Sequence, residues 1–108
     1  MTDWILRGGE VIDGRGGPRR RADVAITGDR VAAVGAIARA AGAREIDLAG
    51  KIVAPGFIDV HTHEDRALFA TPAMAAKVSQ GVTTVVTGNC GVSLAPLVLD
   101  AAPPQPLV

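Results

Sequence analysis

The sequence predicts an α/β fold: a small β unit made of short strands, then one strand–helix–strand crossover. Three observations carry this reading. Five short apolar segments, separated by Gly, Pro and Asp, fall within the first 55 residues. Beyond Pro55-Gly56, the β-branched run Phe57 to His61 is followed by a helix-start signal at Thr71-Pro72 and a second β-branched run, Val82 to Val86. The composition is globular, with 48% hydrophobic and 20% charged residues in 108, enough for one small domain.

Each element has a local reason. Trp4-Ile5-Leu6 is apolar and runs into Gly8-Gly9, a turn signal, after which Val11-Ile12 resumes. Asp13-Gly14-Arg15-Gly16-Gly17-Pro18 demands a loop. No helix follows it, so it resembles a phosphate loop only superficially. Arg19-Arg20-Arg21 reads as a solvated turn. Ala22 to Ile26 and Arg30 to Gly35 form a hairpin across Gly28-Asp29, and Arg44 to Leu48 alternates at period two. Ile37 to Ala43 is Ala-rich and allows one helical turn. Lys51-Ile52-Val53 starts another short strand, and the five segments together predict an antiparallel β unit. In the second half, Thr71 is the expected cap and Pro72 the first residue of a helix to Gln80, with Gly81 as its stop. A strand–helix–strand unit of this length makes its strands parallel. Asp100 to Val108 is too rich in proline for a helix or central strand. Parallel sheets are normally covered on both faces, which one helix cannot do, so the expectation is the first part of a larger α/β domain.

Charge and composition exclude several function classes. Eleven basic and eleven acidic residues cancel, and only Trp4, Phe57 and Phe69 are aromatic, so neither bulk charge nor base stacking points to nucleic acid. No apolar run reaches membrane-span length, and the start Met1-Thr2-Asp3-Trp4 has no signal-peptide pattern. One cysteine, Cys90, forbids an internal disulfide and suits a reducing compartment. The expectation is a soluble, Gly-rich and Ala-rich, cytoplasmic chain.

The chemistry concentrates in two places. His61-Thr62-His63 holds the only two histidines, and their spacing puts both imidazoles on one face of a strand. Two imidazoles at the C-terminal end of a strand make half of a first-row metal site; the alternative is a pair of surface or capping histidines. Glu64 and Asp65 follow at once. They could orient the imidazoles or approach the metal, or form a solvated acidic loop, the reading preferred for Glu64. Asp59 shares the strand parity of the histidines and could point inward beneath them, in a structural or a catalytic role. Cys90, in Thr87-Gly88-Asn89-Cys90-Gly91, follows the second strand. It could be a small buried hydrophobe, a nucleophile or a zinc ligand, and the nearby histidine pair favours metal.

The run Ile52-Val53-Ala54-Pro55-Gly56-Phe57-Ile58-Asp59-Val60-His61-Thr62-His63 resembles the start of the amidohydrolase superfamily barrel. Gly81-Val82-Thr83-Thr84-Val85-Val86-Thr87-Gly88-Asn89-Cys90-Gly91-Val92-Ser93 is similar to the N-acyl-D-amino-acid deacylase (D-aminoacylase) branch, whose Gly-Asn-Cys-Gly cysteine is a zinc ligand. The resemblance covers residues 4 to about 98. It implies that residues 1–54 are the N-terminal part of a composite β-sandwich lobe. Residues 55–108 then begin a metal-dependent (β/α)8, TIM-like barrel, an architecture of about 250 residues.

The resemblance further implies a zinc hydrolase that splits N-acyl-D-amino acids into a D-amino acid and a carboxylate. The resemblance makes His61, His63 and Cys90 the expected Zn²⁺ ligands in this chain, with Cys90 and later histidines holding the tighter metal, His61 and His63 lining a neighbouring weaker position, and Asp59 and Asp65 as candidates to stand behind them. The family's two later histidines and catalytic aspartate are expected beyond Val108, so no residue here takes that catalytic role and the 108 residues alone are expected to be inactive. Glu64 stands where the family more often has Asp. The alternatives are an amidohydrolase acting on cyclic amides, of the dihydroorotase or hydantoinase kind, and a non-catalytic fragment; Cys90 speaks against the former.

Overall fold

The computed structural model describes residues 2–91, 93, 98, 100 and 101. The Pro-rich tail foreseen above falls largely on residues 102–108, outside the described residues. The chain divides into two units, Met1–Pro55 and Gly56–Val108.

The first unit is a five-stranded sheet centred on β1 (Trp4–Val11). β2 (Arg20–Thr27) pairs antiparallel with β1, and β3 (Arg30–Gly35) pairs antiparallel with β2 across the Gly28-Asp29 turn. β4 (Arg44–Asp47) and β5 (Ile52–Val53) both run parallel to β1, with Trp4–Arg7 opposite Arg44–Asp47 and Glu10–Val11 opposite Ile52–Val53. The sheet is therefore mixed, not antiparallel as expected. The cause is the connection after β3, which returns along the sheet before β4 enters, as parallel pairing requires. That connection, residues 36–43, turns at Ala41-Gly42 and contains no helical turn, against the expectation for Ile37 to Ala43. Its alanines have helix propensity, but so short a segment gains too little from it to nucleate a helix. Arg20 and Arg21 likewise belong to β2 and not to a turn.

Gly8-Gly9 does not end the first strand. β1 runs through it by a bulge: Leu6 faces Val24 and Gly9 faces Ala22, so Arg7 and Gly8 together oppose Asp23. Gly8 sits at φ +68°, which a residue with a Cβ adopts only with strain. Asp23 completes the bulge. Its Oδ1 accepts the Gly8 N–H at 2.8 Å and its Oδ2 pairs with Arg7 Nη1 at 2.8 Å. Arg7 also reaches Glu45 Oε1 on β4 at 2.7 Å and donates to the Ile37 carbonyl. One guanidinium thus joins β1, β2, β4 and the connecting segment. The apolar core beside it is small: Ile5, Val11, Val24 and Ala25.

The second unit opens with β6 (Phe57–Thr62) and closes with β7 (Val82–Thr87). They pair in parallel, as expected, with Phe57 opposite Val82 and Thr62 opposite Thr87. The crossover differs from the single helix foreseen over Thr71 to Gln80. α1 (Asp65–Ala70) starts directly after the histidines, and α2 (Ala75–Val78) is a separate turn. Thr71 ends α1 and does not begin a helix: its N–H and its hydroxyl both donate to the Ala67 carbonyl, at 2.8 and 3.1 Å. Pro72 cannot continue the ladder, and Met74 at φ +43° breaks the helical path before α2. Phe57, Ile58 and Val60 on β6 are each at least 60% exposed among the described residues. Among those residues no helix is long and apolar enough to cross a membrane.

The Arg7 cluster yields a pH prediction. The Gly8 amide and then Arg7 hold the Asp23 carboxyl below the usual carboxylate range, and Arg7 does the same to Glu45. Depressed carboxylates contribute stability that is complete above their ordinary values and is lost as pH falls through the depressed ones, here below about pH 4. Asp23→Asn should therefore flatten the acid limb of a thermal-unfolding series run from pH 7 to pH 2. Equal acid slopes in the variant and the parent would contradict the role given to this pair.

Candidate metal centre

Parallel pairing places the C-terminal ends of β6 and β7 at one edge of the second unit. His61 lies near the end of β6, Thr62 turns inward at 7% exposure, and His63 follows the strand, so both imidazoles project to the same exposed side. Their ring centroids are 5.8 Å apart and inclined by 53°. On the neighbouring strand the chain leaves β7 at Thr87 and turns tightly, with the Gly91 N–H bonded to the Gly88 carbonyl at 3.0 Å. Gly88 and Gly91 take φ of +78° and +85°, so the turn around Cys90 depends on residues without a Cβ.

That turn delivers the thiol to the histidines. Cys90 Sγ lies 3.2 Å from His63 Nε2, and one donor atom from each of His61, His63 and Cys90 falls within 4.8 Å of the others. Two contacts pin the turn to the histidine segment on either side of Cys90. Asn89 Nδ2 donates to the Val60 carbonyl at 2.7 Å, and Ser93 Oγ donates to Asp65 Oδ1 at 2.9 Å. Two imidazoles and a thiol make a donor set suited to a borderline-soft divalent ion. Ordinary zinc bond lengths in a tetrahedral site put a sulfur and a nitrogen ligand about 3.5 Å apart, close to the spacing seen here.

The acidic residues lie beside the histidine segment. Asp59 meets its backbone. Its Oδ1 accepts the backbone N–H of His61 at 3.2 Å, and its Oδ2 pairs with Lys77 Nζ at 2.6 Å. Lys77, then the His61 amide, hold its carboxyl below the usual range, and Asp59 followed by Glu64 raises Lys77. Asp65 is buried at the start of α1 and takes the Ser93 hydroxyl. Glu64 is not part of a solvated loop: Oε1 pairs with Lys77 at 3.2 Å, and Oε2 is buried without a hydrogen-bond partner among the described residues. Sequence reasoning passed over Lys77. The available signal was a lone lysine in the Ala-rich stretch between the two strands, opposite an inward-parity aspartate.

The Amidohydrolase family profile matches residues 44–107, more than half of the chain. The chain belongs to the amidohydrolase family. Within that family its relatives include a D-aminoacylase and N-acyl-D-aspartate and N-acyl-D-glutamate deacylases, and, at lower identity, adenine deaminases. It is 56% identical over 105 residues to the D-aminoacylase of Alcaligenes xylosoxydans xylosoxydans, an alignment covering 97% of this chain and 22% of that protein. A solved D-aminoacylase with a binuclear metal centre superposes with a TM-score of 0.88 at 59% identity, over 99% of this chain and 22% of that one. The N-acyl-D-glutamate deacylase of Bordetella bronchiseptica, solved with zinc and a phosphonate inhibitor, gives 0.82 at 51% identity, over 91% of this chain and 21% of that one. This amidohydrolase chain spans about a fifth of the length of the relatives it matches.

The pinning of the turn is testable. Asn89→Ala removes the donor to the Val60 carbonyl and should cost about 1 kcal/mol of stability. Denaturant unfolding measures this, and an unchanged midpoint would show that the contact carries no weight.

Proposed function

We propose that this chain is the N-terminal part of a zinc hydrolase that cleaves the amide bond of N-acyl-D-amino acids. In this reading residues 1–54 contribute to a β-sandwich lobe and residues 55–108 begin a (β/α)8 barrel. The observation that carries the proposal is the convergence of His61, His63 and Cys90 at the C-terminal edge of two parallel strands, where α/β folds bind their ligands. The exposed β6 residues Phe57, Ile58 and Val60 support the barrel reading, since parallel strands are covered on both faces in such folds. The likeness to D-aminoacylase and to N-acyl-D-glutamate deacylase supports the substrate class.

His61 and His63 offer neutral nitrogens, and Cys90 offers the single anionic donor. The chemistry that zinc supplies when held there is Lewis-acid polarisation of the scissile carbonyl and acidification of water. The chain's own residues set the geometry. The parallel register aligns the two strand ends, Asn89 and Ser93 anchor the thiol-bearing turn, and Asp59 fixes the His61 amide. Asp59 and Asp65 are engaged by Lys77 and Ser93, so in this proposal proton transfer to the leaving amine is the task of a carboxylate outside these residues. A thiolate ligand persists in a reducing compartment, which makes the cytoplasm the proposed location.

Zinc content after dialysis separates the ligands. A charged, soft thiolate binds zinc more tightly than one imidazole, so Cys90→Ala should lose most of the metal and His61→Ala should keep more of it. A full zinc complement in Cys90→Ala would remove the thiolate from the ligand set. The substrate class is tested by a chimera in which this chain replaces the matching fifth of the Alcaligenes D-aminoacylase. It should retain hydrolysis of N-acetyl-D-amino acids over the L-forms and lose it with Cys90→Ala, whereas the 108 residues alone, zinc-loaded, should show no turnover. A zinc-containing chimera with no D-amino-acid release would defeat the substrate assignment.

A further inference from the structure

Lys77 bridges the two ends of the histidine segment. It stands on α2, which packs on β7, and its Nζ lies 2.6 Å from Asp59 Oδ2 and 3.2 Å from Glu64 Oε1. Asp59 precedes His61 by two residues and Glu64 directly follows His63. One ammonium therefore ties down both sides of the stretch that carries the two imidazoles. The link continues into the backbone, because the second oxygen of Asp59 accepts the His61 N–H at 3.2 Å. The three side chains keep only 24%, 29% and 28% of their surface exposed, so these pairs are screened less than pairs on an open surface. An ammonium with three rotatable donors can serve two carboxylates that approach from different directions.

We propose that Lys77 is a positioning residue for the metal centre, holding the backbone from Asp59 to Glu64 so that His61 and His63 present their nitrogens together with Cys90. The inference deepens the metal reading above and rests on it for its metal arm. It also opposes simple electrostatics. A cation near a metal site repels the ion, so charge removal alone would tighten binding, whereas loss of a brace weakens it.

The test adds cobalt(II) alone to the chain and follows thiolate-to-metal absorption in the parent, Lys77→Met and Lys77→Arg. Lys77→Met should bind about tenfold more weakly, and Lys77→Arg should recover most of the affinity. A metal-free arm measures amide hydrogen exchange. The His61 amide should exchange about tenfold faster in Lys77→Met, with β1 and β2 amides as the unchanged internal reference. Affinity equal to or tighter than the parent, with unchanged exchange and a native far-UV spectrum, overturns the proposal. If the parent itself binds no cobalt, the metal reading falls and the exchange arm still decides whether Lys77 is a brace. If Lys77→Met does not fold, Glu64→Gln weakens one arm of the bridge and should lower cobalt affinity about threefold; an unchanged affinity there also overturns it.

Discussion

The parallel pairing of β6 with β7 is the constraint on which the candidate centre depends. An antiparallel pair would put the end of one strand beside the start of the other, with Cys90 and the histidines at opposite edges. Parallel pairing requires a crossover, and the crossover supplies Lys77, which returns to the strand it left. The same connection that orders the strands thus also supports the histidine segment. The Asn89 and Ser93 contacts fix the thiol to that segment, so the histidine stretch and the thiol-bearing turn are each restrained.

The first unit solves a related problem with similar means. Among the described residues its buried apolar core is Ile5, Val11, Val24 and Ala25, too few to specify a mixed sheet by burial alone. Arg7 adds the specificity. Its guanidinium has donors in several directions, and Asp23, Glu45 and the Ile37 carbonyl occupy them. Each partner comes from a different segment, so the cluster favours one strand order over its alternatives.

What could be read from the sequence follows from the range of the interactions involved. The β-branched runs announced β6 and β7, and the His-Thr-His and Gly-Asn-Cys-Gly spacings marked the residues that the structure brings together. The β1 bulge was hidden because Gly8-Gly9 signals a turn, while the Asp23 carboxylate that keeps the strand going lies on the partner strand. The parallel entry of β4 and β5 depends on sheet order, which local periodicity does not encode. Thr71-Pro72 carries a helix-start signal, yet Thr71 spends its hydroxyl on the turn behind it and closes α1. Lys77 escaped notice, and Glu64 read as solvated, for the same reason as Asp23: their meaning lies in partners that sequence proximity does not reveal.

Thr62 has a consequence for how this site is inherited. It is buried between two outward imidazoles, so the side-chain alternation of β6 governs both histidines at once. A point substitution removes one donor and leaves its neighbour facing Cys90. An insertion or deletion of a single residue earlier in β6 turns Thr62 outward and both rings inward. A substitution at His61 or His63 thus costs one donor, whereas a one-residue length change in β6 costs both at once, so the length of this strand is as much a part of the site as the histidines themselves.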